Sequence, residues 1–220
     1  MAGRLDGKTA LSSGVSDGIG GEIARLFAAE GACVACTGIQ KHLVDDVAGT
    51  IRSSGGQALS IELDVTSDDD WAAGIATTID SFGGLDVVVN NAGVLLLASI
   101  EETTPADFRR VHSINSEGTF LGLRQAILAM QPGGAAGNGG SIINISSVAA
   151  SGAASDQVAY GSSKAAVSAM THLAAGECAG SNIRVNCICP GVVRTGMLVD
   201  TPENIRKCTE AHPLGIGDPK

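Results

Sequence analysis

Aromatic side chains are scarce in this chain of 220 residues: one tyrosine, one tryptophan and four phenylalanines. Its core must therefore be aliphatic, and with 44% hydrophobic residues there is enough apolar surface to build one. Intrinsic disorder would need lower hydrophobicity and denser charge. Basic residues are also few, 14 Lys and Arg against 23 Asp and Glu, for a net charge of −9. They are scattered, and a nucleic-acid surface needs them clustered, so no nucleic-acid partner is expected. No apolar run reaches the roughly 18 residues of a membrane span, so no membrane partner is expected. The opening "MAGRLDGKTALSS" has no apolar stretch of the secretory kind, which makes a cytoplasmic protein the expectation. The 30 glycines follow no G-X-Y period, which excludes collagen and points to close backbone packing.

Six cysteines are present: Cys33, Cys36, Cys178, Cys187, Cys189 and Cys208. Cys33 and Cys36 form a C-x-x-C, but "ACVACTG" reads as a strand, and positions three apart on a strand point to opposite faces. Cys187 and Cys189 share a face without a histidine or second pair close in sequence. Buried thiols in a reducing compartment are expected, with no metal site.

Short apolar runs alternate with amphipathic stretches. Strands are predicted at Thr9–Ser12, Cys33–Thr37, Ala58–Glu62, Val87–Asn90, Ser141–Ser146 and Arg184–Cys189. Their near-continuous hydrophobicity is that of strands covered on both faces. Helices are predicted at Ile19–Glu30, Lys41–Ser53, Asp68–Phe82, Pro105–Met130 and Gln157–Ala179. This alternation predicts an α/β fold of the Rossmann type, a doubly wound parallel sheet in a single domain over residues 1–220. The loop "PGGAAGNGG" joins a helix to a strand, and the tail from Gly191 reads as irregular.

The first strand runs into "SGVSDGIG", where Gly14, Gly18 and Gly20 are spaced G-x-x-x-G-x-G. Glycine permits a sharp bend and lets backbone approach a pyrophosphate. The following helix N-terminus offers free N–H groups and a positive dipole end. Asn90, Asn91, Ala92 and Gly93 follow the fourth strand, at the carboxyl edge where open α/β sheets bind ligands. "LDV" ends the third strand in the same layer. Its Asp64 offers an acceptor to an adenine amine, or else is an acid preceding the helix of "TSDDD". Asn115 lies inside a predicted helix, where asparagine competes with the backbone; it is otherwise an exposed or kink-forming residue.

"GSIINISSVAA" ends a buried strand at Ser146 and Ser147. Tyr160, the sole tyrosine, comes thirteen positions after Ser147, and Lys164 four positions later on the same helix face. A free phenol titrates near pH 10, too high for easy proton exchange at neutral pH. A lysine ammonium within reach is expected to lower that value, as general acid–base work requires. Ser147 is then placed to hold a carbonyl or hydroxyl oxygen.

Together these residues resemble the short-chain dehydrogenase/reductase family, over nearly the whole chain and in the branch with the G-x-x-x-G-x-G turn. The resemblance implies an NAD(P)-dependent oxidoreductase that interconverts a secondary alcohol and a ketone by hydride transfer. Tyr160 would be the general acid/base, Lys164 would lower its pKa and bind the nicotinamide ribose, Ser147 would orient the substrate oxygen, and Asn115 would hold a relay water. Cofactor contacts are expected from Gly14, Ser16, Asp17, Gly18, Ile19 and Gly20 of the turn. Ile39, then Asp64 and Val65, would flank the adenosine. Asn91, Ala92 and Gly93 would line the middle of the site. "PGVVRT", with Pro190, Gly191, Val193 and Thr195, resembles the clasp at the nicotinamide end. The expected partner is a small, fairly apolar alcohol or ketone, bordered by Leu95–Leu97 and Ala150–Ala154. The long helices are plausible faces for a homodimer or homotetramer, as in the family. A non-catalytic nucleotide-binding protein on the same fold is the alternative.

The chain departs from the family pattern in places. Ser13 stands where threonine is usual. No acid occurs near Gly38 to bind the ribose diol of NAD, and no arginine near Ile39 to bind the extra phosphate of NADP. Asp17 would repel that phosphate, so NAD is the expected choice. Relatives usually continue past "HPLGIGDPK" with a helix and a last strand, so a C-terminally short form with an exposed sixth strand is expected.

Overall fold

The computed structural model describes residues 3–16, 18–152, 155–197, 205–206, 209 and 215–219. Strand and helix alternate as β1 (Thr9–Ser12), α1 (Gly18–Ala29), β2 (Cys33–Gly38), α2 (Lys41–Ser53), β3 (Gln57–Glu62), α3 (Asp68–Phe82) and β4 (Val87–Asn90). Then follow α4 (Pro105–His112), a π turn (Ser113–Glu117), α5 (Gly118–Met130), β5 (Gly140–Ile145), α6 (Val158–Glu177) and β6 (Ile183–Ile188). The six strands form one sheet in the order β3-β2-β1-β4-β5-β6, and all pairs are parallel. Because the order reverses between β1 and β4, the connections leave a crevice there at the carboxyl edge.

β1 and β4 are buried along their whole length, as their unbroken apolar runs require of central strands. One core cluster gathers Leu11, Val88 and Ile142 of the sheet with Leu123 and Met130 of α5 and Trp71 of α3. A second packs Val34 of β2 against Val44, Val47 and Ile51 of α2. Trp71 has no exposed surface, and its indole N–H donates to the Val65 carbonyl at 3.1 Å. This satisfies the one polar atom the ring carries into the core.

Local chemistry sets the helix ends. Ser67 caps α3 by accepting the Asp70 amide at 3.1 Å, a contact that contributes about 1 kcal/mol. Gly83 ends that helix in the left-handed region. Thr104 caps α4, with Pro105 in the first turn, where its missing N–H costs nothing.

One predicted element differs in kind. The single helix over Pro105–Met130 is broken by the π turn, which inserts one extra residue between α4 and α5. The other boundaries shift by a residue or two, as fraying ends do. Cys33 is half-buried and Cys36 buried on the opposite face; burial pushes the Cys36 thiol up to about 12, so it stays protonated. The five described cysteines are free, and among the described residues no group of three potential metal ligands occurs.

Candidate active site

The glycine turn and the asparagine segment meet at backbone contact. Gly14 (φ 66°) and Gly18 (φ 63°) occupy the left-handed region, which a side chain disfavours. A Cβ on Gly14 would lie 2.7 Å from the Ala92 Cα, and one on Gly20 would run into the Asn91 amide and the Gly14 carbonyl. The Asn91 Nδ2 donates to the carbonyls of Ser13 at 3.0 Å and Gly14 at 3.1 Å. Ser13 accepts the amides of Asn91 (3.1 Å) and Ala92 (3.2 Å) and donates to the Val89 carbonyl (3.3 Å). Its serine hydroxyl therefore does what the usual threonine hydroxyl would, tying the ends of β1 and β4.

The remaining predicted cofactor residues border this crevice. Ser16 and Ile19 are half-buried on the turn, and Ile39 is exposed just past β2. Asp17 lies outside the described residues. Asp64 accepts the Thr66 amide at 2.9 Å and hydroxyl at 2.8 Å, so one carboxylate oxygen serves the local turn before α3. Val65 is buried beside it. The Pro190–Thr195 segment closes over the turn: a Cβ on Gly18 would lie 2.7 Å from the Thr195 Cγ2. That segment is itself braced where Val193 pairs with Gly217. A narrow backbone cradle that side chains would fill, opening onto the N-terminus of α1, fits a dinucleotide pyrophosphate.

The four predicted catalytic residues converge on the same edge. Asn115 sits in the π turn and is wholly buried rather than exposed. Its Oδ1 accepts the Val94 amide at 2.8 Å, and its Nδ2 donates to the Val94 carbonyl and the Ser163 hydroxyl, both at 2.9 Å. The side chain is thus fully occupied within the protein. A Cβ on Gly93 would stand 3.1 Å from the Asn115 Oδ1 and 3.2 Å from the Lys164 Nζ, so glycine there keeps the centre open. Ser147 follows β5; its hydroxyl accepts the Ala149 amide at 3.1 Å and favours the Tyr160 phenolate.

Burial pushes the Tyr160 phenol above its ordinary value, and the Ser147 hydroxyl pulls the other way. The Lys164 Nζ donates to the Ile145 carbonyl at 2.8 Å, and burial drops the ammonium to about 8, opposed by Cys187. The i, i+4 spacing put both groups on one helix face but could not show that a strand carbonyl takes the lysine head.

Sequence reading passes over Ser163, which is wholly buried and donates to the Tyr160 carbonyl at 2.7 Å while accepting from Asn115. It also passes over Ala98, whose amide donates to the Asp156 carbonyl at 2.8 Å. This contact pairs the segment after β4 with the start of the catalytic helix, and Asp156 adopts φ 60° to make it. Ser163 lies between Tyr160 and Lys164, in the stretch "YGSSK", and its burial is within reach of that spacing. The Ala98 contact leaves no mark in the sequence.

Comparison with known proteins agrees with this fold. A family model described as enoyl-(acyl carrier protein) reductase matches residues 14–219. The 2,5-dichloro-2,5-cyclohexadiene-1,4-diol dehydrogenase LinX of Sphingobium indicum is 37% identical over 221 residues, covering the whole chain and 87% of the relative. The 3-alpha-(or 20-beta)-hydroxysteroid dehydrogenase of Mycobacterium tuberculosis is 39% identical over 205 residues, covering 93% of this chain and 76% of the relative. A solved short-chain type dehydrogenase/reductase from Mycobacterium marinum superposes with a TM-score of 0.92 at 33% identity, covering 98% of this chain and 85% of the other.

Proposed function

This chain belongs to the short-chain dehydrogenase/reductase family and is an NAD(P)-dependent oxidoreductase acting on CH–OH groups, and from that premise we propose that it interconverts a ring-borne secondary alcohol and its ketone, with Tyr160 as general acid/base. The observation that carries this reading is the convergence of Asn115, Ser163, Tyr160 and Lys164 on the end of β5, beside a glycine-lined cradle shaped for a dinucleotide. When bound, the nicotinamide supplies the hydride chemistry. The chain's own residues do the rest. Ser147 and Tyr160 together grip the substrate oxygen, and Tyr160 takes its proton in oxidation or returns it in reduction. Lys164, at the floor of the site, is the cation that favours the phenolate when its head leaves the Ile145 carbonyl. Asn115, clamped by Val94 and Ser163, holds the π turn behind them.

A ring substrate suits both relatives named above and the apolar wall beside the site. Leu95, Leu96 and Leu97 form a strap fixed at Val94 by Asn115 and at Ala98 by Asp156. Across from it stand the exposed Val148 and the half-buried Ala149 and Ala150; Ala153 and Ala154 lie outside the described residues. Oxidation of cyclohexanol and of a hydroxysteroid with NAD, read as NADH absorbance, tests the reading. Reduction of an enoyl thioester with no alcohol turnover would instead favour the chemistry that the family model's description names.

NAD is the preferred cofactor in this reading. Asp17 would repel the extra phosphate of NADP, while Lys41 and Arg25 are engaged with Asp45 and Glu22. The preference is nonetheless modest, because Gly38 supplies no carboxylate for the ribose diol. Gly38 has ordinary φ, and a Cβ there meets only the Val44 Cγ2 at 3.2 Å among close contacts. Gly38→Asp is expected to sharpen the NADH over NADPH preference in kcat/KM by about ten- to a hundredfold, one charge-assisted hydrogen bond of about 1.5–3 kcal/mol. An unchanged ratio, or a native preference for NADPH, counts against it.

We further propose a homodimer or homotetramer assembled through α4, α5 and α6, which leave Phe108, Phe120, Leu128 and Leu173 exposed. Sedimentation of the purified chain is expected to give a dimer or larger, and a monomer at micromolar concentration refutes the assembly. Among the described residues no helix is long and apolar enough to cross a membrane. A cytoplasmic setting suits five free cysteines.

A further inference from the structure

Three consecutive residues at the end of β5 hold the two functional residues of α6. The Ile145 carbonyl accepts the Lys164 Nζ at 2.8 Å. The Ser146 hydroxyl donates to the Lys164 backbone carbonyl, also at 2.8 Å. The Ser147 hydroxyl favours the phenolate of Tyr160. Lys164 is thereby gripped at both ends, its ammonium by one residue and its root by the next.

The grip continues along the helix. Ser146 Oγ also lies 2.9 Å from Ser168 Oγ. Asn144, two residues back on the same face of the strand, donates to Thr171 Oγ1 at 2.9 Å and accepts from Asn90 of β4 at 2.8 Å. Positions 164, 168 and 171 form one stripe of α6, spaced four and three apart. Asn144, Ser146, Lys164 and Thr171 are all buried. The apolar residues α6 buries are small or β-branched, Ala159 and Val167, which offer little to resist sliding. Buried hydrogen bonds do resist it, because a slide by one residue leaves each donor without its acceptor.

We propose that Ser146 is a positioning residue that sets the height of α6 over β5, so that Tyr160 meets Ser147 and Lys164 keeps its reach to the reacting oxygen. This rests on the function proposed above but is tested without substrate. Tyr160 is the only tyrosine in the chain, so its phenolate ultraviolet absorbance reports one group alone. In pH jumps faster than alkaline unfolding, the wild-type midpoint is compared with Ser146→Ala, Ser146→Thr and Ser146→Cys. Loosening the helix weakens the pull of the Ser147 hydroxyl on the phenolate, so Ser146→Ala is expected to raise the midpoint. Ser146→Thr keeps the hydroxyl and is expected to restore it. Ser146→Cys, nearly isosteric with a weak donor, falls between and stands in if the alanine variant does not fold. With NAD and cyclohexanol, Ser146→Ala is expected to lower kcat between about tenfold and a hundredfold, as a misplacement near 1 Å does, with KM unchanged. A wild-type midpoint in Ser146→Ala and Ser146→Cys overturns the proposal. So does a loss of kcat that follows only the loss of folded protein. Failure of the functional reading looks different: Tyr160→Phe would then retain turnover, whatever Ser146 does.

Discussion

Tyr160→Phe is expected to abolish turnover while leaving the fold and cofactor binding in place. The substitution removes one hydroxyl and keeps the ring, so packing is nearly unchanged. What disappears is the proton carrier. General acid–base catalysis contributes about 10²–10⁴-fold, and kcat for cyclohexanol oxidation should fall by that factor. Calorimetric titration with NAD should give an unaltered Kd. The pH dependence follows from the direction of the shift. Oxidation needs the phenolate, which gains population only as pH rises toward a value that burial has pushed up. Oxidation by the wild type should therefore climb with pH through the neutral range. Ketone reduction needs the protonated phenol and should hold level there. Both limbs should vanish in Tyr160→Phe. A variant that retains the wild-type rate would remove Tyr160 from the chemistry.

Gly14→Ala is expected to destroy the cofactor cradle. Two costs coincide at this position. An alanine at φ 66° is strained by about 1–2 kcal/mol. Its Cβ would also stand 2.7 Å from the Ala92 Cα, a backbone atom with no rotamer to yield. The ends of β1 and β4 must then part, and the crevice between them is the proposed cofactor site. NAD affinity should drop at least about tenfold for each 1.4 kcal/mol of this penalty that binding must repay. Gly55→Ala separates the two costs: Gly55 is left-handed at φ 87°, but nothing lies within 4 Å of the added Cβ. It should lose stability and keep wild-type affinity. Equal losses of affinity in both variants would argue against a built cradle at Gly14.

Much of this arrangement is legible in the sequence, and the reason is locality. A parallel sheet announces itself through apolar runs separated by amphipathic stretches. β1, β4, α2 and α3 fall where the pattern puts them. The glycine turn is legible because left-handed backbone demands glycine at Gly14 and Gly18. What resists reading is any contact that depends on which of two neighbours a group selects. Lys164 reaches Tyr160 or the Ile145 carbonyl equally well on a helical wheel, and only the height of α6 over β5 decides. Asp64 was open between a ligand and a turn acid, and Thr66 takes one of its oxygens. The Ala98 pairing with Asp156 and Gln157 joins loops far apart in sequence through backbone atoms, which carry no residue-type signature.

The π turn has a further consequence, best expressed as helical phase. An α-helix advances about 100° per residue, so residues four apart drift by about 40° and residues eight apart by about 80°. Val111, Asn115 and Thr119 are spaced by four and four, yet all three are buried. The extra residue between Ser113 and Glu117 absorbs the drift and keeps the three in line. Periodicity therefore reads through the break as one helix, which is why the sequence conceals it. The slack of the helix is taken up inside the turn. Deleting one of its residues would restore a regular helix with α4 and α5 still in phase, because the extra residue is accommodated locally. The change would fall on Asn115, which sits within the turn.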